Sequence, residues 1–199
     1  MEKNTIDIRK NLRINAKNTR NSLSDFTIKE LSSSISKNIL DLLHDKFPKV
    51  NSFLCYYPLE KEVDLLPLYE VLLKNNASLF FPKTFDNCQM NFYKINDLDN
   101  DFICGNFGVF EPKNISNENM FSDEKNVSQC ICFTPGLLFD FSLNRLGYGM
   151  GYYDRYFEKY KGLTKIGRGY NLSLIDSIPI SSFDVPLDFV ITEDRILSN

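Results

Sequence analysis

Between residues 24 and 46 the apolar side chains return every three or four positions: Ile28, Leu31, Ile35, Ile39 and Leu42. That is the period of one helical face, so the spacing predicts a core-facing helix of four to five turns. Ser24 offers its N-cap oxygen and Asp25 a first-turn acid. After this helix the pattern changes. Val50 to Tyr57 is a nearly continuous apolar and aromatic run, read as a buried strand stopped by Pro58. Leu65, Leu68, Tyr69 and Leu72 return to helical spacing and end at Asn75 and Asn76. Ala77 to Phe81 is a second strand, stopped by Pro82. Strand, short helix, strand makes a βαβ unit and implies parallel pairing. Ligands of such sheets bind at the carboxyl ends of the strands, and those ends carry Tyr56, Tyr57, Glu62, Lys83 and Phe85.

Further strands are expected over Gln89 to Ile95, Cys130 to Thr134, Thr164 to Arg168 and Asp188 to Thr192, and a helix over Tyr153 to Tyr160. Residues 96–128 are polar and lack periodicity. They read as loops interrupted by two aromatic islands, with 113–126 the most mobile stretch. No internal repeat or domain linker is visible.

Residues 5–23 read as a helix of a different kind. Its apolar surface is small, limited to Ile6, Leu12 and Ile14, while Arg9, Arg13, Lys17 and Arg20 fall four, four and three apart on one face. Lys10 adds a fifth cation. Like charges on one stripe repel unless solvated or set against an anion, and the pattern alone leaves both readings open.

Composition narrows the class. At 199 residues, 43% hydrophobic and 25% charged, the chain fits one globular domain. A net charge of −3 argues against a generic nucleic-acid binder. No apolar run approaches the roughly 20 residues of a membrane span. The opening residues contain acids and no apolar core, so no leader peptide is expected. Five cysteines, an odd number, suit a reducing, cytoplasmic setting. Cys130 and Cys132 have the wrong spacing for a C-x-x-C pair and no second cluster, so they read as buried residues on one strand face. His44 is the single histidine, near a helix end where it reads as a C-terminal charge partner, which argues against a Ser-His-Asp triad or a histidine metal cluster.

Seven of the nine glycines lie between Gly136 and Gly169, and Gly147, Gly149 and Gly151 fall at alternate positions. The run has neither the Walker A lysine nor the Rossmann spacing. Its context still points to phosphate. Arg145 precedes it, Tyr152 and Tyr153 follow, and Asp154 opens a helix. Backbone N–H groups and a cation suit phosphate, and a carboxylate suits Mg²⁺.

These residues resemble a known family. Phe133 to Asp140 (F-T-P-G-L-L-F-D), followed by Asn144 to Arg155 (N-R-L-G-Y-G-M-G-Y-Y-D-R), resembles the signature of 5-formyltetrahydrofolate cyclo-ligases. The likeness spans nearly the whole chain. Arg9 to Arg13 and Arg20 to Ser24 resemble the opening helix, Glu62 to Asp64 an acidic substrate turn, Phe81 to Lys83 an F-P-K step, Phe107 to Pro112 an F-G-x-x-E-P step, and Asp184 to Glu193 the closing motif.

The resemblance implies a single α/β domain over residues 1–199 with a mostly parallel, Rossmann-like sheet flanked by helices. It implies MgATP-dependent closure of 5-formyltetrahydrofolate to 5,10-methenyltetrahydrofolate, through a phosphorylated formyl group, by a cytoplasmic monomer that binds neither nucleic acid nor membrane. By the same resemblance ATP meets Arg9, Lys10, Leu12, Arg13, Lys17 and Arg20, then Arg145, Leu146, Gly147, Tyr148, Gly149, Met150, Gly151, Tyr152 and Tyr153. Folate meets Tyr57, Glu62, Phe107, Tyr152 and Tyr153. Arg145 and Asp154 are the expected catalytic pair, and Asp154 with Asp188 the expected Mg²⁺ ligands. Two residues depart from the family pattern: Met150, where a glycine or lysine is usual, and Arg9, where a lysine is usual. The rival expectation is a non-catalytic nucleotide- or folate-binding module of the same fold.

Overall fold

The computed structural model describes residues 2–105, 108–122 and 129–198, with the side chains of 2–4 and 87 left aside. Its helices are α1 (Glu2–Asn21), α2 (Asp25–Lys46), α3 (Leu66–Lys74) and α4 (Tyr152–Lys159). Its strands are β1 (Ser52–Leu54), β2 (Ser78–Phe85), β3 (Gln89–Ile95), β4 (Phe102–Cys104), β5 (Phe110–Pro112), β6 (Cys130–Thr134), β7 (Leu138–Asp140), β8 (Arg145–Leu146), β9 (Thr164–Arg168), β10 (Leu174–Ile175), β11 (Phe189–Ile191) and β12 (Ile196–Ser198). Among the described residues no helix is long and apolar enough to cross a membrane.

Seven of these strands form one sheet in the order β12-β11-β9-β6-β1-β2-β3. The five inner strands are parallel; β3 and β12 close the two edges antiparallel. Side chains alternate between the two faces along each strand, and the alternation sorts the core. Phe53, Ile131, Phe133 and Ile191 face α2 and α3, where Ile35, Ile39, Leu68 and Tyr69 meet them. Leu54, Cys130, Cys132 and Val190 face α4 through Tyr156 and Phe157. The cysteine pair is therefore core. Burial pushes the Cys132 thiol up to about 12 and the Cys130 thiol higher still. Ser24 caps α2, its hydroxyl accepting from the Thr27 N–H at 3.1 Å.

Three expectations about elements need correction. β2 does not stop at Pro82 but runs to Phe85. Its parallel partner β1 ends in register with Phe80, and beyond that point only β3 pairs with it, so the missing N–H of Pro82 breaks no second ladder. The 96–128 stretch is not all loop, because Phe102–Cys104 and Phe110–Pro112 pair as an antiparallel hairpin. Within its expected mobile part, 123–126 lie outside the described residues. Finally, the glycine loop is flanked by a small sheet, β10-β7-β8, with β7 and β8 before the loop and β10 after it, that the sequence pattern did not reveal. Its strands are two or three residues long, too short for periodicity to register.

Candidate active site

The windings of the main sheet diverge at its middle. From β1 the chain moves outward to β2 on one side, and from β6 it moves to β9 and β11 on the other. A crevice opens at the carboxyl ends of strands at such a switch point. Here it is a cavity of about 1010 Å³, walled by Tyr56 and Tyr57 beyond β1, Pro135 beyond β6, and the glycine loop.

The loop leaves β8 and enters α4. Arg145, on β8, is buried; its Nη1 donates to the Pro135 carbonyl at 3.2 Å and its Nη2 to Asp154 Oδ2 at 2.8 Å. A Cβ on Gly147 would lie 2.6 Å from Arg145 Nη1 and would displace that guanidinium from its present place. Gly149 has φ +110° and Gly151 φ +66°, values that L side chains rarely adopt, and Gly151 is the N-cap of α4 without a capping side chain. The helix therefore presents open N–H groups toward the cavity. Gly147, Tyr148, Gly149, Met150 and Gly151 all line the cavity. Leu146 does not: it is fully buried with Leu137, Leu138 and Ile178.

Met150 adds no charge at the loop's centre, but two guanidiniums flank it. That of Arg13 comes within 3.5 Å of a Cβ built on Gly149, and that of Arg155 within 3.1 Å of one built on Gly151. Arg155 also donates to the Met150 carbonyl. Arg155 was not singled out by sequence; it stands one residue past the motif's acid.

α1 is not a solvated helix. Ala16 and Leu12 pack on the small-sheet cluster of Leu137, Leu138 and Leu146, and this turns the cationic stripe onto the loop. Arg13 Nε donates to the Gly147 carbonyl at 2.8 Å, and Arg20 Nη2 to the Tyr148 hydroxyl at 2.6 Å. The Lys17 ammonium sits 5.3 Å from the Tyr148 ring centroid. Arg9 forms an ion pair with Asp184 and donates to the Pro179 carbonyl at 2.8 Å. Of the expected ATP contacts on α1, Arg9 and Arg13 line the cavity. Lys10 points to solvent, Leu12 faces the small-sheet cluster, and Lys17 and Arg20 reach the site through Tyr148.

The two expected metal ligands are not brought together. Asp154 lines the cavity, held by Arg145 and by the Val185 N–H at 3.3 Å. Asp188 sits at the start of β11, where it accepts from the Lys165 N–H at 2.7 Å and pairs with the Lys165 ammonium at 3.0 Å. That is the amino end of the parallel strands, opposite the cavity, so Asp188 is a strand-register residue. Among the described residues no three His, Cys, Asp or Glu side chains cluster as a metal cage.

Glu62 is 3% exposed, yet lines the cavity. Lys61 at φ +65° makes the tight turn that places it, and Glu62 Oε2 accepts from the Leu59 N–H at 3.1 Å within that turn. Oε1 accepts from the Tyr148 hydroxyl at 2.7 Å. Arg20 Nη1 stands 3.8 Å from Oε1 and Arg168 Nη2 3.9 Å from Oε2, so the carboxylate is bracketed by two cations. Arg168, 1% exposed beneath Tyr56 with its guanidinium 3.5 Å from the ring centroid, is a further residue the sequence reading missed. By sequence pattern it is only the last residue of a strand. Its Nε and Nη2 make no hydrogen bond among the described residues.

A second carboxylate, Glu111, also faces the cavity; in the sequence it stands only as part of the F-G-x-x-E-P step. It accepts from Lys83 at 2.8 Å and from the Thr84 N–H and hydroxyl at 3.1 and 2.8 Å. Tyr57 lines the cavity and packs against Phe102 and Phe110, with centroids 4.9 and 4.7 Å away. Tyr152 and Tyr153 line the opposite wall, and the Arg145 guanidinium lies 5.5 Å from the Tyr153 centroid. Phe107, the remaining expected folate contact, lies outside the described residues.

Comparison with known proteins points to one family. A model of the 5-formyltetrahydrofolate cyclo-ligase family matches residues 5–193. A probable 5-formyltetrahydrofolate cyclo-ligase of Schizosaccharomyces pombe is 29% identical over 189 residues, covering 89% of this chain and 91% of the relative. The 5-formyltetrahydrofolate cyclo-ligase of Haemophilus influenzae is 26% identical over 183 residues, covering 90% and 94%. The solution structure of Aquifex aeolicus 5,10-methenyltetrahydrofolate synthetase superposes with a TM-score of 0.80 at 29% identity, covering 96% of this chain and 92% of that one.

Proposed function

The chain belongs to the 5-formyltetrahydrofolate cyclo-ligase family, and from that premise we propose that it closes 5-formyltetrahydrofolate to 5,10-methenyltetrahydrofolate at the expense of ATP. One observation carries the reading: a single cavity holds both a phosphate-type loop and a buried, cation-bracketed carboxylate. The chemistry needs no protein nucleophile. A formamide oxygen is a poor leaving group. It attacks the γ-phosphorus of ATP, ADP departs, and the formyl group becomes an imidate phosphate. The folate's N10 then attacks the formyl carbon and loses its proton. Phosphate leaves with the former formyl oxygen.

What such a reaction asks of the protein is position and charge neutralisation. The loop from Gly147 to Gly151 and the open first turn of α4 offer N–H donors to phosphate. Arg145, Arg13 and Arg155 border it with cations, and Arg145 is the one already packed beside the acid that opens the helix. Glu62 accepts hydrogen bonds from the donor edge of the pterin, a charge-assisted contact. Tyr57 and Tyr153 supply apolar walls that keep water from the activated formyl group.

The donor set also suits Mg²⁺. This ion takes one or two carboxylates and fills its shell with phosphate oxygens and water rather than with a full protein cage. Asp154, alone at the head of α4, would hold it, and Arg145 would then be free to turn to phosphate. Bound Mg²⁺ supplies charge neutralisation at the transferring phosphoryl group.

The test is direct. Purified protein mixed with 5-formyltetrahydrofolate and MgATP is expected to accumulate the methenyl chromophore, and to do so only when ATP is present. A protein that binds both ligands without forming product is the non-catalytic module instead, the reading that Met150 at the loop centre favours.

A further inference from the structure

Tyr148 belongs to the glycine loop by sequence and to the Glu62 site by contact. Its hydroxyl donates to Glu62 Oε1 at 2.7 Å and accepts from Arg20 Nη2 at 2.6 Å. The direction is forced. Arg20 can only donate and Glu62 can only accept as a carboxylate, so the single phenol proton lies on the Glu62 side. Burial, then the nearby Glu62 charge, pushes the phenol up to about 12, so it keeps that proton at neutral pH. Glu62 Oε2 is already committed to the Leu59 N–H inside its own turn. Each carboxylate oxygen accepts two hydrogen bonds, but the second direction of Oε2 faces Arg168 Nη2 at 3.9 Å and that of Oε1 faces Arg20 Nη1 at 3.8 Å, and both cations repel another donor. Oε1 is the oxygen whose present partner, a side chain rather than turn backbone, can be displaced by an incoming ligand. A ligand that donates to Oε1 therefore competes with Tyr148.

We infer that Tyr148 is a positioning residue shared by both substrates. Its hydroxyl holds Glu62 until the N–H edge of the folate takes Oε1, and its release loosens the glycine loop for nucleotide. This rests on the proposed function, since it needs a folate at Glu62 and a phosphate chain at the loop. The surroundings of the residue fit such a move. Tyr148 is 39% exposed, and it lies between Gly147 and Gly149, the latter at φ +110°. The remaining ties on Gly147 and Tyr148, Arg13 to the Gly147 carbonyl and the Lys17 and Arg20 cations over the ring, come from α1 and carry the charge a nucleotide would recruit. The consequence is reciprocal: folate tightens nucleotide binding by the same factor that nucleotide tightens folate binding.

Calorimetric titrations test this. 5-Formyltetrahydrofolate is titrated into wild type and Tyr148→Phe, each with and without a non-hydrolysable ATP analogue and Mg²⁺. A hydrogen bond to a charged acceptor corresponds to about tenfold or more in affinity. Wild type is expected to bind folate about tenfold more tightly when the analogue is present. Tyr148→Phe is expected to bind folate alone about tenfold more tightly than wild type does, with the coupling factor falling to about one. A role in loop packing alone would not move that factor. Folate binding to Tyr148→Phe that is equal or weaker, or a coupling factor that survives the substitution, overturns the inference, as does a wild type without coupling. Tyr148→Leu, which also lacks the hydroxyl, must agree, with thermal unfolding confirming that both variants fold. A wild type that fails to bind 5-formyltetrahydrofolate removes the proposed function, and the inference with it. Folate binding with Tyr148 unimportant leaves the proposed function standing.

Discussion

Glu62 and Glu111 are both buried carboxylates on the wall of one cavity, yet their partners give them different work. Glu62 is faced by two guanidiniums at almost 4 Å, with one oxygen held only by a side chain that can move. Glu111 is tied down by three hydrogen bonds from Lys83 and Thr84. It fastens the β4–β5 hairpin to β2 across the cavity edge, and Gly105 is glycine because a Cβ there would fall 2.2 Å from Glu111 Oε2. Burial alone would raise the Glu111 carboxyl, but the Lys83 and Thr84 bonds outweigh it and hold it below its ordinary value of 4.5. A depressed carboxyl contributes stability above its unfolded value and loses it as pH falls through the lower folded one. Glu111→Gln is therefore expected to lower the urea midpoint at pH 7, and the gap to wild type is expected to close as pH is taken below about 4.5. Urea titrations of both proteins across that range check it; a gap that stays constant with pH would assign Glu111 a purely steric role.

At the scale of elements, the glycine loop and α1 form one unit, although well over a hundred residues separate them in sequence. The helix has too little apolar surface to stand in a core layer. It docks through Leu12 and Ala16 onto the small sheet that launches the loop, and its cations then bond to the loop backbone and to Tyr148. This explains why the stripe of four cations does not repel itself away from the molecule: each faces a carbonyl, a carboxylate, a phenol or a ring. The loop depends on positive φ at Gly149. Gly149→Ala is expected to cost about 1–3 kcal/mol of local strain. The loop relieves that strain by moving, so the expected outcome is a KM for ATP raised at least severalfold with a much smaller change in the KM for folate. Steady-state kinetics with each substrate varied in turn separates the two. Equal changes in both would mean that the loop does not discriminate between the sites.

At the scale of the whole molecule, the parallel sheet serves as the fixed platform. β6 is buried along its full length, and Phe133 at its carboxyl end stacks on Phe53 with centroids 5.7 Å apart. Two residues later Pro135 receives the bond from Arg145. Truncating Phe133 to Ala leaves a cavity that the close-packed α2–α3 layer cannot fill. It is expected to cost about 3–5 kcal/mol of unfolding free energy, read from chemical denaturation. Activity measured below the unfolding transition is expected to fall as well, because the strand end that carries Pro135 shifts. Unchanged stability would mean that the α2–α3 face is more loosely packed than its burial indicates.

How much of this was legible beforehand follows from the range of the interactions. The helices of the α2–α3 layer, the parallel βαβ unit, the glycine loop and the cationic stripe are written in residues near one another in the chain. Helical period, strand alternation, and the conformational freedom of glycine act over a few positions, so sequence determines them. The family followed from the same local motifs. Other features arise only when distant segments meet. Strand ends decided that Pro82 lies inside β2, and that Asp188 belongs with Lys165 at the far end of the sheet rather than with Asp154. Burial turned Arg168 from a strand terminus into a charge beneath Tyr56. The bond between Tyr148 and Glu62 joins residues 86 positions apart, each of which the sequence could place in its own motif but not against the other. The sequence by itself determined the glycine loop, the cations of α1 and the Glu62 turn as separate local groups; Arg155 and Arg168 joined them only through the fold. The tertiary structure alone decided that the loop and the Glu62 turn share one cavity and one hydroxyl, because a contact at 2.7 Å depends on how the sheet, the small sheet and α1 pack together, and no local pattern encodes that distance.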